Sequence, residues 1–308
     1  MNMISIVTPC WNESENVEEL YERIRETLKN LSYEYEHIFI DNASTDGTAE
    51  ILKDIASRDK RVKIIINARN FGHIRSPYYG LLQASGSAVI ILASDLQDPP
   101  ELIPDFISKW EQGYKIVIGI KTRSEEFGLY YFFRSLYYRT LRSLSDVPLV
   151  DNYTGFGLYD HYVIEILRTI KDPYPYFRGL IADIGFERAE VPFTQPRRKR
   201  GITKNNFYTL YDMAMLGVTN HTKIPLRLAV IFGFLSAAAS FFIGLIYLLY
   251  KLFFWFEFSL GFAPIIIGLL FLGSIQLLFL GIIGEYIGAI YTQIMQRPLV
   301  IEKERINF

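Results

Sequence analysis

The 308-residue chain holds one cysteine, Cys10, so no disulfide can form within it, and a reducing compartment fits. It has no Gly-x-Gly-x-x-Gly and no Gly-x-x-x-x-Gly-Lys, which leaves the dinucleotide fingerprint and the P-loop without support. Its net charge is only −1, so bulk charge gives no pull toward nucleic acid, and no nucleic-acid partner is expected. No low-complexity tract and no repeat is present. The chain opens on Ile4-Ser5-Ile6-Val7 without a basic cluster ahead of a long apolar core, so no cleavable signal peptide is expected.

What the chain has in excess is apolar sequence: 50% of its residues are hydrophobic, and most of the excess lies after Pro225. Leu228–Tyr250 and Ser259–Gly284 carry no charge. Each is long enough to cross roughly 30 Å of hydrocarbon as a helix. Gly233, Gly244, Gly268, Gly273 and Gly281 are costly in a soluble helix but common where membrane helices pack, and a homo-oligomer through such faces is expected. The linker Lys251–Phe258 is short and aromatic and carries the charges Lys251 and Glu257. The outer flanks are basic, with Arg197 to Arg200, Lys204, Lys223 and Arg227 on one side and Arg297, Lys303 and Arg305 on the other. The positive-inside rule then predicts an integral membrane protein with two spans, both flanks cytoplasmic. The expected organisation is a cytoplasmic domain over residues 1–225, two transmembrane helices over 226–290, and a cytoplasmic C-terminal tail over 291–308.

The first part reads as α/β. Ile4–Thr8, His37–Ile40, Val62–Ile66, Val89–Leu92 and Ile116–Ile120 are strand candidates, and Asn16–Leu31 and Thr48–Ser57 are helix candidates. This alternation predicts a mainly parallel sheet with helices on both faces, which binds ligands beyond the carboxyl ends of its strands. Polar clusters fall at four such ends: Asn12-Glu13, Asp41-Asn42, Asn67–Gly72 and Asp95–Asp98.

Four segments carry a resemblance. Pro9-Cys10-Trp11-Asn12-Glu13 follows the first strand; Glu13 can accept hydrogen bonds from a base or ribose, and Trp11 can stack on one. Asp41-Asn42-Ala43-Ser44-Thr45-Asp46-Gly47-Thr48 follows the second, and Asp46 or Thr48 can equally cap the next helix. Asp95-Leu96-Gln97-Asp98-Pro99-Pro100 follows the fourth, and Arg198-Lys199-Arg200-Gly201-Ile202-Thr203-Lys204 precedes the apolar region. Arg69-Asn70-Phe71-Gly72-His73 supports them. The set resembles the family 2 glycosyltransferases of the GT-A (Rossmann-like) fold, and more narrowly the dolichyl- and undecaprenyl-phosphate glycosyltransferases, over nearly the whole chain.

The resemblance implies a nucleotide-sugar pocket at Pro9, Trp11, Asn12, Glu13 and Asp41. Arg69, Gly72, Arg200 and Thr203 extend it by the same resemblance. It implies that Asp95 and Gln97 hold a divalent metal, Mg²⁺ or Mn²⁺, against the donor diphosphate, and that Arg198 and Lys204 act with them in catalysis. Phe127–Leu144 reads as an interfacial helix, with Arg134 or Arg139 on the lipid phosphate. The implied reaction is inverting transfer of a sugar from a nucleotide-diphosphate sugar to a polyprenyl phosphate at the cytoplasmic membrane face.

Four positions depart from the family pattern. Asn42 replaces a second Asp, Ala93 replaces the first Asp of the metal motif, and Gly155 and Gly157 stand where an acidic and a basic residue are usual. A phosphate monoester is already ionised near neutral pH, so a phosphate acceptor needs no general base, whereas a sugar hydroxyl does. Two other readings stay open: a glycosyltransferase with another glycan or glycolipid acceptor, and a non-catalytic membrane protein that binds nucleotide-sugar or lipid. The Gln-x-x-Arg-Trp of processive synthases is absent.

Overall fold

The computed structural model describes residues 3–29, 31–123, 150, 152–196, 211, 215–219, 222–254 and 262–308. Its described residues fall into two compact units, Met1–Tyr211 with Thr292–Phe308, and Asp212–Tyr291.

The first unit is built on an eight-stranded sheet. Its parallel half comprises β1 (Met3–Cys10), β2 (Glu34–Asp41), β3 (Val62–Asn67) and β4 (Ala88–Ile91). The strands β5 (Ile116–Arg123), β6 (Tyr153–Asp160), β7 (Arg188–Thr194) and β8 (Glu302–Ile306) complete it. The order is β7-β5-β6-β4-β1-β2-β3-β8. β6 pairs antiparallel with β4 and β5, and β8 pairs antiparallel with β3; the other pairings are parallel. The mainly parallel sheet expected from the sequence is therefore present.

Helices cover both faces. α1 (Val17–Leu28) buries Val17, Leu20, Tyr21, Ile24 and Leu28, the stripe that spacings of three and four predicted. Leu20 and Ile24 pack with Ile4 and Ile6 of β1 and with Phe106 of α4 (Ile103–Glu111). The opposite face of β1, with Val7, packs on Tyr78 and Leu81 of α3 (Gly72–Leu82) and on Val163 and Leu167 of α5 (His161–Thr169). α2 (Thr48–Arg58) joins β2 to β3, and α6 (Phe177–Ile184) precedes β7. β1 lies between β2 and β4, so the chain reverses its direction of winding there. This places a crevice at the carboxyl ends of β1 and β4, where such sheets take ligands.

Three strands escaped the sequence reading. β6 carries Gly155 and Gly157 and lacks a strand-like pattern; a Cβ on Gly157 would stand 2.4 Å from the Val117 carbonyl oxygen, so β5 and β6 meet too closely for any side chain there. β7 alternates cleanly but contains Pro192. β8, Glu-Lys-Glu-Arg-Ile, is charged, as suits an edge strand; the segment read as a tail forms the last strand of the sheet.

In the second unit, α7 (Ile224–Phe253) and α8 (Phe262–Met295) include stretches of mean hydropathy 2.3 and 2.5, with none of the apolar window buried. Both are long and apolar enough to cross a membrane. The Tyr286 hydroxyl donates to the Thr222 carbonyl at 2.7 Å and ties the end of α8 to the start of α7. The expected interfacial helix at Phe127–Leu144, with Arg134 and Arg139, lies outside the described residues, as do Arg198, Arg200, Thr203 and Lys204.

Candidate active site

The loops after β1 and β2 are stitched together by side chains that the backbone turns demand. Asn12 sits at φ +54°, a left-handed conformation that Asn tolerates. Its N–H donates to Ser44 Oγ at 2.8 Å, and its own Oδ1 accepts the Thr45 N–H at 2.8 Å. The Glu13 N–H reaches Thr48 Oγ1 at 2.9 Å, and the Ser14 N–H reaches Asp46 Oδ2 at 3.1 Å. Asp46 Oδ1 also accepts the Thr48 N–H at 3.1 Å, so Asp46 caps α2 from one position ahead of Gly47, the residue at the N-cap.

Asp41 is fully buried. Its Oδ2 accepts the Ser44 N–H at 3.0 Å and its Oδ1 accepts the Ser44 hydroxyl. Burial pushes its carboxyl above the usual range, against the two Ser44 bonds that lower it. Glu13 is buried too, and its carboxylate takes a 2.6 Å bond from the Asn16 amide. Trp11, by contrast, is 38% exposed. Pro9 pairs with Ile40 at the end of β1. Cys10 beside it is buried, and burial followed by the charges of Asp41 and Glu13 holds its thiol well above its ordinary value. It packs in the core with Val17, Tyr21 and Phe39.

Asn42 joins the second loop to the third. Its Nδ2 donates to Asn70 Oδ1 at 2.9 Å and to the Gly72 carbonyl at 3.1 Å. Its Oδ1 accepts from Asn67 Nδ2 at 3.0 Å and from the Phe71 N–H at 2.9 Å. An aspartate offers acceptors only. Asn is therefore matched to this loop, and the departure at position 42 has a structural reason. Gly72 opens α3 at φ +87°, a conformation that side chains resist. Arg69 is exposed, with its guanidinium 4.0 Å from the centre of the Phe71 ring.

After β4 burial alternates along the chain. Ser94, Leu96 and Asp98 are buried, while Ala93, Asp95 and Gln97 are half-buried. Leu96 packs in the core at φ +60°, a strained conformation costing about 1–2 kcal/mol. Asp95 Oδ1 accepts the Gln97 N–H at 3.2 Å. Asp98 turns inward, where its Oδ2 accepts the Ala93 N–H at 3.0 Å. Burial pushes its carboxyl up to about 6; the Ala93 bond lowers it and the Asp95 charge raises it. It latches the loop from within through the Ala93 N–H. Gln97 Nε2 reaches the Pro196 carbonyl at 3.5 Å, just ahead of the basic segment 197–204.

Comparison with known proteins fixes the family. The model for glycosyl transferase family 2 matches residues 5–167, which covers β1 through nearly all of α5. The chain belongs to glycosyl transferase family 2. The transferase is 36% identical over 300 residues to the uncharacterized glycosyltransferase YkcC of Bacillus subtilis, covering 96% of this chain and 92% of that one. It is 33% identical over 301 residues to the bactoprenol glucosyl transferase of Shigella phage SfV, covering 97% and 98%. In fold, the transferase is similar to glucosyl-3-phosphoglycerate synthase from Mycobacterium tuberculosis, crystallised with Mn²⁺, UDP and phosphoglyceric acid. The TM-score is 0.52 at 21% identity, over 71% of this chain and 76% of that one. The GT-A fold is shown.

The donor set of the transferase suits a hard divalent cation. Ala93, Asp95 and Gln97 are all half-buried in this loop, and alanine at 93 offers no side-chain ligand. One carboxylate and one amide oxygen remain, enough for Mg²⁺ or Mn²⁺ when phosphate oxygens and water complete the shell. No group of three acidic, His or Cys side chains forms a metal cluster among the described residues. Sequence reasoning missed the linking role of Asn42 and the inward turn of Asp98. Alternation along Leu92–Asp98 was the signal for the second; nothing local announced the first, whose partners lie 25 to 30 residues away.

Proposed function

We propose that this transferase moves a glycosyl group from a nucleoside-diphosphate sugar to a polyprenyl phosphate, with inversion, at the cytoplasmic face of a membrane. The observation that carries the reading is the near full-length match to a bactoprenol glucosyl transferase, which takes in both apolar helices as well as the catalytic unit. The crevice at β1 and β4 supports it with a stacking residue, Trp11, beside loops locked by Asp41, Ser44 and Asn12.

The roles follow from position. Trp11 and the backbone of Pro9–Glu13 face the nucleoside, while Asp41 acts on it through Ser44, which it holds by both oxygens. Asp95 and Gln97 would hold the metal, which supplies charge stabilisation to the leaving diphosphate. Arg198, Arg200, Thr203 and Lys204 bring cationic and hydroxyl groups to the two phosphates, and Arg134 or Arg139 meets the lipid phosphate. A lipid phosphate, already ionised, attacks the anomeric carbon without surrendering a proton, so alignment and electrostatics carry the rate. Both flanks of the helix pair lie in the cytoplasm, and the glycines of the helices, which face open space in the single chain, serve self-association.

The test is direct. Full-length protein in detergent is given undecaprenyl phosphate and a panel of radiolabelled UDP- and GDP-sugars, with Mg²⁺, Mn²⁺ or EDTA. Label entering the organic phase from one donor, abolished by EDTA, supports the reading and names the sugar. Transfer that survives EDTA removes the metal. Failure of every donor in a sample that still binds nucleotide favours a different acceptor or the non-catalytic reading that Ala93 keeps open.

A further inference from the structure

Three arginines come together near the start of α3. The Arg69 guanidinium lies 4.0 Å from the Phe71 ring centre, and that of Arg75 lies 5.4 Å from the same ring. Arg75 Nη2 donates to the Pro298 carbonyl, which brings its neighbour Arg297 to the group. Arg75 Nε is buried and has no partner. Burial first, then the like charge of Arg69, hold the Arg75 pKa below its ordinary value against an opposing effect of Tyr174, with Arg297 adding a smaller lowering. None of the three is ion-paired with a carboxylate among the described residues. The contrast within this unit is clear: Arg23, Arg58, Arg61, Arg168 and Arg305 each pair with a Glu or Asp.

Like charges brought together repel, and an anion between them reverses the sign of that interaction. The same place is the N-terminus of an 11-residue helix with no acidic residue in its first turn, so its dipole favours an anion as well. Arg297 follows the apolar helix α8, which ends at Met295, by two residues. Basic residues so close to a membrane span stand at headgroup level. We propose that Arg69, Arg75 and Arg297 form a binding site for the phosphate of an anionic membrane lipid, separate from the sugar-transfer pocket. Arg69 then serves this site and not the donor. The inference rests on α8 lying in a membrane and not on which sugar or acceptor the transferase uses.

The experiment uses full-length protein in neutral detergent and follows the rise in Tm with added dihexanoyl-phosphatidylglycerol, dihexanoyl-phosphatidylcholine, inorganic phosphate or UDP. The expected result is a saturable rise with phosphatidylglycerol and none with phosphatidylcholine. Arg297→Gln should weaken the apparent affinity about fivefold, and the double change Arg75→Gln with Arg297→Gln by a further factor of about five. Arg297 is exposed, so its variant carries the test if loss of Arg75 prevents folding. Wild-type affinity in Arg297→Gln and in the double variant overturns the site. Equal protection by inorganic phosphate overturns the lipid assignment in favour of a free anion. Competition between UDP and phosphatidylglycerol overturns the separation from the donor pocket.

Discussion

Replacing Asn42 by alanine removes four hydrogen bonds at one side chain, two donated and two accepted. Their cost is unequal. Asn70 is exposed, and it still accepts the Gly72 N–H at 2.7 Å, so water can take the place of Asn42 there. Asn67 is buried but keeps its 3.0 Å bond to Ser76 Oγ. The Phe71 N–H, in a buried residue, loses its partner. One orphaned buried donor costs about 1–3 kcal/mol, and the other bonds add roughly 0.5–1 kcal/mol each where water cannot fully replace them. The expected loss is about 2–4 kcal/mol. Urea unfolding in detergent, followed through tryptophan fluorescence, measures it. Hydrogen exchange at the Phe71 amide should lose its protection in the same variant, and the KM for the nucleotide-sugar should rise as the Gly72 loop loosens. A loss below about 0.5 kcal/mol, with the Phe71 amide still protected, would refute the claim that Asn42 holds the two loops together.

Asp95→Asn should lower transfer by about a hundredfold or more, and Ala93→Asp should restore a ligand and lower the Mn²⁺ concentration for half-maximal activity; a metal titration of both variants checks this. Gly157→Ala should cost about 3 kcal/mol or more, because its Cβ meets the Val117 carbonyl oxygen at 2.4 Å; the midpoint of urea unfolding reports it. His37 is fully buried and its pKa is pushed down to about 3 by burial, with a small opposing effect of Asp59. The unfolded chain takes up that proton near pH 6.5, so its contribution is complete above 6.5 and is lost as pH falls toward 3, at up to about 1.4 kcal/mol per unit. His37→Gln should flatten that limb in stability curves measured across this range, and an unchanged slope would exclude His37 as its source.

The parallel half of the fold was legible because each of its strands is an apolar run closed by turn residues, and because α1 and α2 repeat their apolar positions at helical spacing. The loops that carry the motifs were legible at Trp11, Asp95 and Gln97, which the structure leaves partly exposed beyond the carboxyl ends of β1 and β4. The site was less legible where a residue works inward. Asp41 reads as a ligand contact in sequence and is bonded on both oxygens to Ser44 in the structure. Asp98, part of the same motif, is an internal latch. β6 and β8 were hidden for opposite reasons: one is marked by glycines that close strand packing requires, the other by charges that an edge requires. Neither composition signals a strand until its neighbour is known.

The place of β8 in the chain bears on the order of assembly. It pairs with β3, more than 230 residues upstream, and both apolar helices are synthesised between the two. A ribosome making this protein releases the parallel half of the sheet first, and the edge of β3 stays open while the two apolar helices are made. Lys53 to Glu304 at 2.5 Å, and the Asn307 amide on the carbonyls of Ala56 and Val62, close that edge only afterwards. Completion of the catalytic sheet is therefore a late checkpoint. A nascent chain stalled before the helices are made keeps an unpaired strand, the kind of exposed edge that proteases and chaperones engage.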